Sequence, residues 1–307
     1  MKYKKILVTG GSGLVGSAIK QIADEKFIFL SSKDCDLLEY NQSFDKISEI
    51  QPDCVIHLAA NVGGLFKNIN QKVQMFEDNI LINLNILKIC NKLNIKKFIG
   101  CLSTCVFPDS TNYPIDENML FNGPPHESNY SYAYAKRMLE VQCRAYREQY
   151  DLDYSCVIPT NIYGPHDNFN LEDSHVIPAL IYKCFLAKSR NQDFVVAGTG
   201  TPLRQFIYSL DLAQIIIKLL EIEYSDTIIV SPEEEISILD ISTIIANKFE
   251  YINKMKFDLS KPDGQYKKTA SNKRLQKILP DYKFINIKEG LNKTVDWFIE
   301  NQDKIRV

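Results

Sequence analysis

The sequence is poor in the residues that announce several large protein classes. In 307 residues there are one tryptophan, four histidines and five methionines, and no Cys or His pair stands at a metal-ligand spacing, so no metal site is expected. A charge of one sign is also missing. The 36 Lys plus Arg against 38 Asp plus Glu leave a net charge of -2, which removes the global field that draws proteins to nucleic acid. Long apolar runs are absent as well. The most apolar late stretch, residues 215–220, contains Lys218 and falls far short of the roughly 20 residues of a membrane span. The basic start, residues 1–5, is followed by only Ile6-Leu7-Val8 before Thr9-Gly10-Gly11, too little for a signal-peptide core. A cytoplasmic protein with neither a nucleic-acid nor a membrane partner is the expectation. Cysteine is the exception to this sparseness: Cys35, Cys54, Cys90, Cys101, Cys105, Cys143, Cys156 and Cys184 are scattered without pairing, as free thiols in a reducing compartment would be. Each reads first as a small packing residue.

What is present is a regular alternation. Short apolar runs at 6–8, 27–30, 55–58, 98–102 and 154–158 are separated by helix-like segments from 14 and over 43–50, 73–93 and 132–150. Strands this apolar are buried on both faces, which predicts a parallel sheet covered by helices. After Pro159 the grammar changes to loop-rich stretches at 163–170 and 197–202 around a helix near 176–188. The length suits one large core plus a smaller lobe. The expected organisation is an α/β, doubly wound parallel sheet in 1–162, with 205–230 returning to it, and a smaller C-terminal α/β substrate-binding lobe made of 163–204 and 231–307.

Gly10-Gly11-Ser12-Gly13-Leu14-Val15-Gly16 follows the first strand and opens the first helix. Glycines at 10, 13 and 16 allow a tight turn, close approach of a pyrophosphate to the backbone and close helix–strand packing, and the helix N-terminus offers free N–H groups. In this strand–turn–helix context the motif predicts a Rossmann dinucleotide site formed by Gly10, Gly11, Ser12, Gly13, Leu14, Val15 and Gly16. Where NAD-specific sites carry an acidic residue after the second strand, this chain reads Ser31-Ser32-Lys33. A cation there favours the 2′-phosphate of NADP, although Asp34 next to it leaves open a plain solvated lysine.

Tyr132-Ala133-Tyr134-Ala135-Lys136 sets a phenol and an ammonium four apart on one helical face. A neighbouring cation stabilises the phenolate and moves the phenol toward acid–base use at neutral pH. A Tyr-x-x-x-Lys string alone is common on solvated helices. Ser103, just past the fourth strand, lies at the carboxyl end where open parallel sheets bind ligands. Glycine turn, Ser103, Tyr132 and Lys136 together resemble the extended short-chain dehydrogenase/reductase superfamily. The resemblance implies that the serine polarises a carbonyl, the tyrosine transfers a proton, and the lysine touches the nicotinamide ribose.

Further strings narrow the likeness: residues 63–68 (GGLFKN), 103–105 (STC), 159–170 (PTNIYGPHDNFN), 174–178 (SHVIP) and 261–264 (KPDG). With these the chain, from about Lys5 to its C-terminal helix, resembles the GDP-L-fucose synthase family of 3,5-epimerase/4-reductases. The family uses NADP(H), acts on GDP-4-keto-6-deoxy-D-mannose and forms homodimers through the two long helices. The resemblance implies that Cys105 and His175 form the acid–base pair of epimerisation, with the base and acid roles undivided between them and His166 a competitor in the same lobe. It implies further cofactor contacts from Lys33, Ala60, Leu102, Lys136, Pro159, Asn161, Ile162 and His175, and substrate contacts from Asn161, Lys183, Arg204 and Asp263. Lys183 as a solvated helix residue and Arg204 as an ion-pair partner are the plainer readings of those two. Where many members carry tryptophan, this chain has Ala197. Other nucleotide-sugar epimerases or 4-ketoreductases of the scaffold are the alternative, and a non-catalytic NADP-binding protein is disfavoured because both Tyr132 and Lys136 are present.

Overall fold

A computed structural model describes residues 2–263 and 266–307. The chain runs β1 (Ile6–Thr9), α1 (Leu14–Ile22), β2 (Phe27–Leu30), α2 (Tyr40–Ile50), β3 (Cys54–His57), α3 (Leu65–Asn70), α4 (Lys72–Lys92), β4 (Lys97–Cys101), α5 (Tyr130–Tyr150), β5 (Asp153–Pro159) and β6 (Asn161–Tyr163). It continues with α6 (Val176–Ser189), β7 (Phe194–Ala197), β8 (Leu203–Arg204), β9 (Phe206–Tyr208), α7 (Ser209–Glu221), β10 (Thr227–Val230), β11 (Ile236–Ser237), α8 (Ile238–Lys248), β12 (Met255–Asp258), α9 (Lys273–Ile278) and α10 (Ile287–Glu300).

Six of these strands form one all-parallel sheet in the order β2-β1-β3-β4-β5-β10. The chain winds outward from β1 to β2 and then crosses back to β3, so the winding reverses between β1 and β3, where such sheets bind ligands. The strands are apolar on both faces because helices cover both. One layer packs Leu7, Val55, Phe98 and Tyr154 against α2, α4 and α5, and the other packs Ile6, Val8, Ile56 and Ile228 against α1 and α7. At the switch point His57 is fully buried, bridging Thr9 Oγ1 (2.8 Å) and Asn83 Oδ1 (3.1 Å), and burial drives its imidazole down to about 3. It therefore ties β1, β3 and α4 together as a neutral hydrogen-bonded strut.

Within 205–230 the element that joins the sheet is β10, beside β5. Residues 206–208 instead pair in parallel with β6 as a separate two-stranded ladder, because β10 already occupies the free edge of β5, and α7 then lies on α1. A third core, built from Tyr163, Phe169, Ile181, Phe194, Ile245 and Phe298 among others, holds α6, α8 and α10 together. The single tryptophan, Trp297, packs there on Phe169 and on the His166 ring, 4.5 Å between centroids for the latter. Among the described residues no helix is long and apolar enough to cross a membrane, and all eight cysteines are free thiols, only Cys101 and Cys105 being partly exposed.

Candidate active site

The glycine turn sits where the sheet reverses. Gly10 has φ +70°, and a side chain on it would lie 2.8 Å from Ala59 N in the loop after β3. A side chain on Gly16 would strike Gly10 O and Gly11, so helix and turn meet backbone to backbone. A Cβ on Gly13 meets only Gly10 O, at 3.3 Å, and is otherwise open. Gly13 caps α1 without any side-chain hydrogen bond, and the first turn holds no acid, so the first N–H groups stay free for an anion. Ser12 is exposed at the turn. These residues fit a dinucleotide pyrophosphate.

Past β2, Asp34 does not compete with Lys33 for a ribose. Its carboxylate accepts from Ser31 N (2.8 Å) and Ser31 Oγ (2.5 Å), which holds it below the usual carboxylate range. Lys33 is exposed, and no carboxylate among the described residues ion-pairs with it.

Beyond β4 the chain turns through a short 3-10 helix, Thr104–Val106, capped by extended Ser103, whose Oγ accepts from Cys105 N at 3.5 Å. The Cys105 thiol is half-buried, and burial pushes it above its ordinary value; the Ser103 hydrogen bond and the nearby Lys268 and Lys136 charges pull the other way. Lys136 is 2% exposed, its Nζ donates to Cys101 O (2.9 Å) and lies 5.7 Å from the centre of the Tyr132 ring. The four-residue spacing on α5 thus puts ammonium and phenol side by side. Sequence reasoning expects the lysine to draw the phenol down; instead burial dominates and raises Tyr132 well above its usual 10, so the neutral phenol is the resident form. Burial likewise lowers Lys136.

Two residues that sequence reasoning missed complete this wall. Arg137 is buried, donates from Nε to Val106 O (2.5 Å) and so fastens the Cys105 turn to α5; its only signal in sequence is adjacency to Lys136. Lys268 brings a partly buried cation whose field reaches both Cys105 and Arg204, although 163 residues separate it from Cys105 in sequence. Nothing local marks it.

On the lobe side, His175 caps α6 without a side-chain hydrogen bond. The ring is exposed; the protein packed around it pulls its imidazole below the usual value, and the Asp173 carboxylate opposes that. Lys183 is exposed on the same helix, about 12 Å further along at 1.5 Å per residue. Arg204 is half-buried and donates to Leu203 O (2.7 Å). Asn161 donates to Gln205 O (2.9 Å), spanning the β6–β9 ladder near the carboxyl end of β5. Asp263 spends its carboxylate on Thr199 N (2.9 Å) and Thr199 Oγ1 (2.6 Å), holding the Gly198 turn. Ala60, Leu102, Pro159 and Ile162 follow or flank β3, β4 and β5 at the same carboxyl end of the sheet. The structure therefore gathers Ser103, Cys105, Tyr132 and Lys136 with Arg204 and Lys268, while the charge that acts on the His175 ring is that of Asp173 and the His175 backbone oxygen accepts from Ala179 N (3.0 Å). His166 is exposed, its ring set against Trp297 at the edge of the third core.

A family model described as the NAD dependent epimerase/dehydratase family matches residues 6–229. The chain is 50% identical to a GDP-L-fucose synthase of Dictyostelium discoideum over 99% of this chain and 98% of that one. It is 46% identical to a probable GDP-L-fucose synthase of Drosophila melanogaster, over 99% of each. A crystal structure of a GDP-L-fucose synthetase from Naegleria fowleri bound to NADP superimposes with TM-score 0.95 at 45% identity, covering 99% of this chain and 95% of that one. A glycine turn shaped to take a pyrophosphate, a Tyr–Lys pair at the end of a parallel sheet and a family match over most of its length agree: the chain belongs to the NAD dependent epimerase/dehydratase family.

Proposed function

We propose that this chain converts GDP-4-keto-6-deoxy-D-mannose to GDP-L-fucose, inverting C3 and C5 and then reducing the C4 ketone with NADPH. The observation that carries the reading is the single cluster of Ser103, Cys105, Tyr132 and Lys136, a proton pair's thiol set beside a reductase's phenol, in a chain half identical to a GDP-L-fucose synthase along its whole length. The C4 ketone acidifies the protons on C3 and C5. One of Cys105 and His175 takes the carbon-bound proton, the Ser103 hydroxyl donates to the enolate oxygen, and the other returns a proton to the opposite face. Reduction comes last, since it removes the ketone that made those protons labile. When bound, the nicotinamide supplies a hydride to C4. Tyr132 then gives its proton to the C4 oxygen, and the protonated phenol raised by burial is the form that step requires. Lys136 holds the phenol in place and reaches the nicotinamide ribose, and Lys33 receives the 2′-phosphate. Asn161, Lys183, Arg204 and Asp263, with the added charge of Lys268, serve the sugar and diphosphate. The remaining cofactor contacts come from Ala60, Leu102, Pro159, Ile162 and His175.

In this reading 1–162 with 205–230 forms the cofactor domain, and 163–204 with 231–307 the substrate lobe. The enzyme works as a cytoplasmic homodimer. Its free thiols support the compartment. The dimer is supported by apolar side chains of α3 and α4, Leu65 (56% exposed), Phe66 (64%) and Val73 (59%), beside a cavity of about 520 Å³ between α4 and α5 lined by Phe76, Tyr130, Tyr134 and Met138. Light scattering at micromolar concentration should give twice the 35.2 kDa chain mass. Incubation with GDP-4-keto-6-deoxy-D-mannose and NADPH should yield GDP-L-fucose by NMR with one NADPH consumed per product; turnover without NADPH consumption, or a product unchanged at C3 and C5, rejects the proposal.

A further inference from the structure

We propose that Asp173 is a positioning residue for His175: it clasps the loop that ends at the imidazole onto the Gly63–Gly64 turn of the cofactor domain and so sets where His175 stands over the sugar. The proposal rests on the reading above, in which His175 is half of the epimerising pair.

The joint is made by one donor and two acceptors. Gly64 N–H points at both the backbone oxygen (2.9 Å) and the Oδ1 (2.8 Å) of Asp173, residues 109 apart in sequence. No room is left around it. A Cβ on Gly63 would lie 2.7 Å from Asp173 Oδ1, and one on Gly64 would lie 3.0 Å from Asp173 O and 3.2 Å from Ser174 O. Behind the turn, the amide of buried Asn68 donates to Gly63 O (2.8 Å) and Gly64 O (2.9 Å), so the receiving side is stiff. On the giving side, Asn170 O accepts from Ser174 N (2.8 Å) and Asn170 Oδ1 from Glu172 N (2.8 Å), which folds 170–174 into a closed turn.

The consequence for His175 follows from chain geometry. Only Ser174 separates it from Asp173, so at 3.8 Å per Cα step its backbone is carried rigidly with the clasp. Its ring, by contrast, has no hydrogen-bond partner among the described residues and caps α6 without a side-chain bond. Backbone placement is therefore what aims the imidazole. The Asp173 carboxylate also acts on it directly, favouring the imidazolium. Both strings, 63–64 and 174–175, stand out in the sequence; only the folded chain shows that they touch.

The test uses the full-length protein in D2O with GDP-4-keto-6-deoxy-D-mannose and no NADPH, following deuterium entry at C3 and C5 by NMR. Asp173→Ala should slow exchange at least tenfold while the NADPH dissociation constant changes less than threefold. Asp173→Asn keeps an oxygen for Gly64 N–H and should stay within threefold of wild type. Gly64→Ala, which displaces the loop without touching a charge, should slow exchange several-fold. On a His175→Gln background, Asp173→Ala should add nothing, because a group acting through the imidazole has no effect once it is gone. Exchange by Asp173→Ala within twofold of wild type, or multiplicative losses in the double variant, overturns the clasp; if Asp173→Ala loses NADPH binding too, Gly64→Ala decides instead, several-fold slower exchange supporting the clasp and exchange within twofold of wild type overturning it. Failure of the wild type to exchange at all sinks the functional reading instead. The clasp is then judged by hydrogen exchange of the peptides spanning 61–68 and 170–176, which Asp173→Ala should speed at least tenfold and which unchanged protection would refute.

Discussion

Lys136 is buried and bonded to Cys101 O, Arg137 is bonded to Val106 O, and Ser103 caps the turn that carries Cys105. On the lobe, His175 and Lys183 are exposed, and neither side chain has a hydrogen-bond partner among the described residues. The Ser103–Lys136 wall is fastened by bonds of its own side chains, whereas the lobe loops around His166 and His175, outside the third core, are tied by a few links between distant segments, Asp173 to Gly64 and Arg306 to the His166 and Phe169 backbone. In the function proposed above, proton transfer to an oxygen next to a hydride donor, which tolerates little positional error, falls on the rigid side. In the same reading, the residues that meet a large, charged substrate stand where that substrate can order them, at an entropic cost met on binding.

Breaking the rigid side should have the largest effect. Tyr132→Phe removes the proton donor without disturbing the Lys136 to Cys101 bond; kcat for ketone reduction should fall by about 10³-fold, within the usual range for a general acid, and the NADPH dissociation constant should stay within about twofold. Retained turnover ends the assignment of Tyr132. On the lobe side, His175→Gln should slow deuterium entry at C3 and C5 by about 10²-fold. Wild-type exchange by that variant removes His175 from the chemistry and leaves His166 as the candidate. At the outer rim of the cofactor site, Lys33→Asp should raise the NADPH dissociation constant roughly tenfold or more, consistent with loss of one charge-assisted contact, and leave that for NADH nearly unchanged. Equal shifts for the two nucleotides would remove Lys33 from 2′-phosphate recognition.

The smallest effect sharpens the comparison through pH. Asp167 is buried in the lobe, its Oδ2 without a hydrogen-bond partner among the described residues, and burial raises its carboxyl to about 7. The folded state thus holds a proton that the unfolded chain releases near its ordinary 3.8, so this residue's contribution to stability is full below about pH 4 and is lost as pH rises toward 7. Asp167→Asn keeps the oxygen that accepts from Asn168 N and should raise stability by about 1–3 kcal/mol at pH 8 in urea melts, with no gain at pH 4. A pH-independent difference would show that Asp167 is not the group responsible.

Several features were legible residue by residue. The glycine turn, the Tyr132–Lys136 spacing and the position of Ser103 depend on contacts within a few residues of chain, and each falls where the sequence places it. Helix starts were less so: α2 begins at Tyr40 rather than 43 and α5 at Tyr130 rather than 132, since neither opens on a side-chain cap that a reader of the sequence would recognise. The partner of residues 206–208 was not legible at all, because whether they extend the main sheet depends on which remote strand pairs with the edge of β5, and that strand is β10.

The sequence by itself determined the alternating parallel architecture, the glycine turn and the four-residue spacing that sets Tyr132 beside Lys136 on one helical face, because steric demands on glycine and the 3.6-residue helical period act locally. Tertiary structure alone decided that Tyr132 is held protonated rather than drawn down by its lysine, that Ser31 occupies Asp34, and that Lys268 and Asp173 come to bear on Cys105 and His175. Burial and electric fields depend on which remote segments fold against one another, and that information resides in no short stretch of chain.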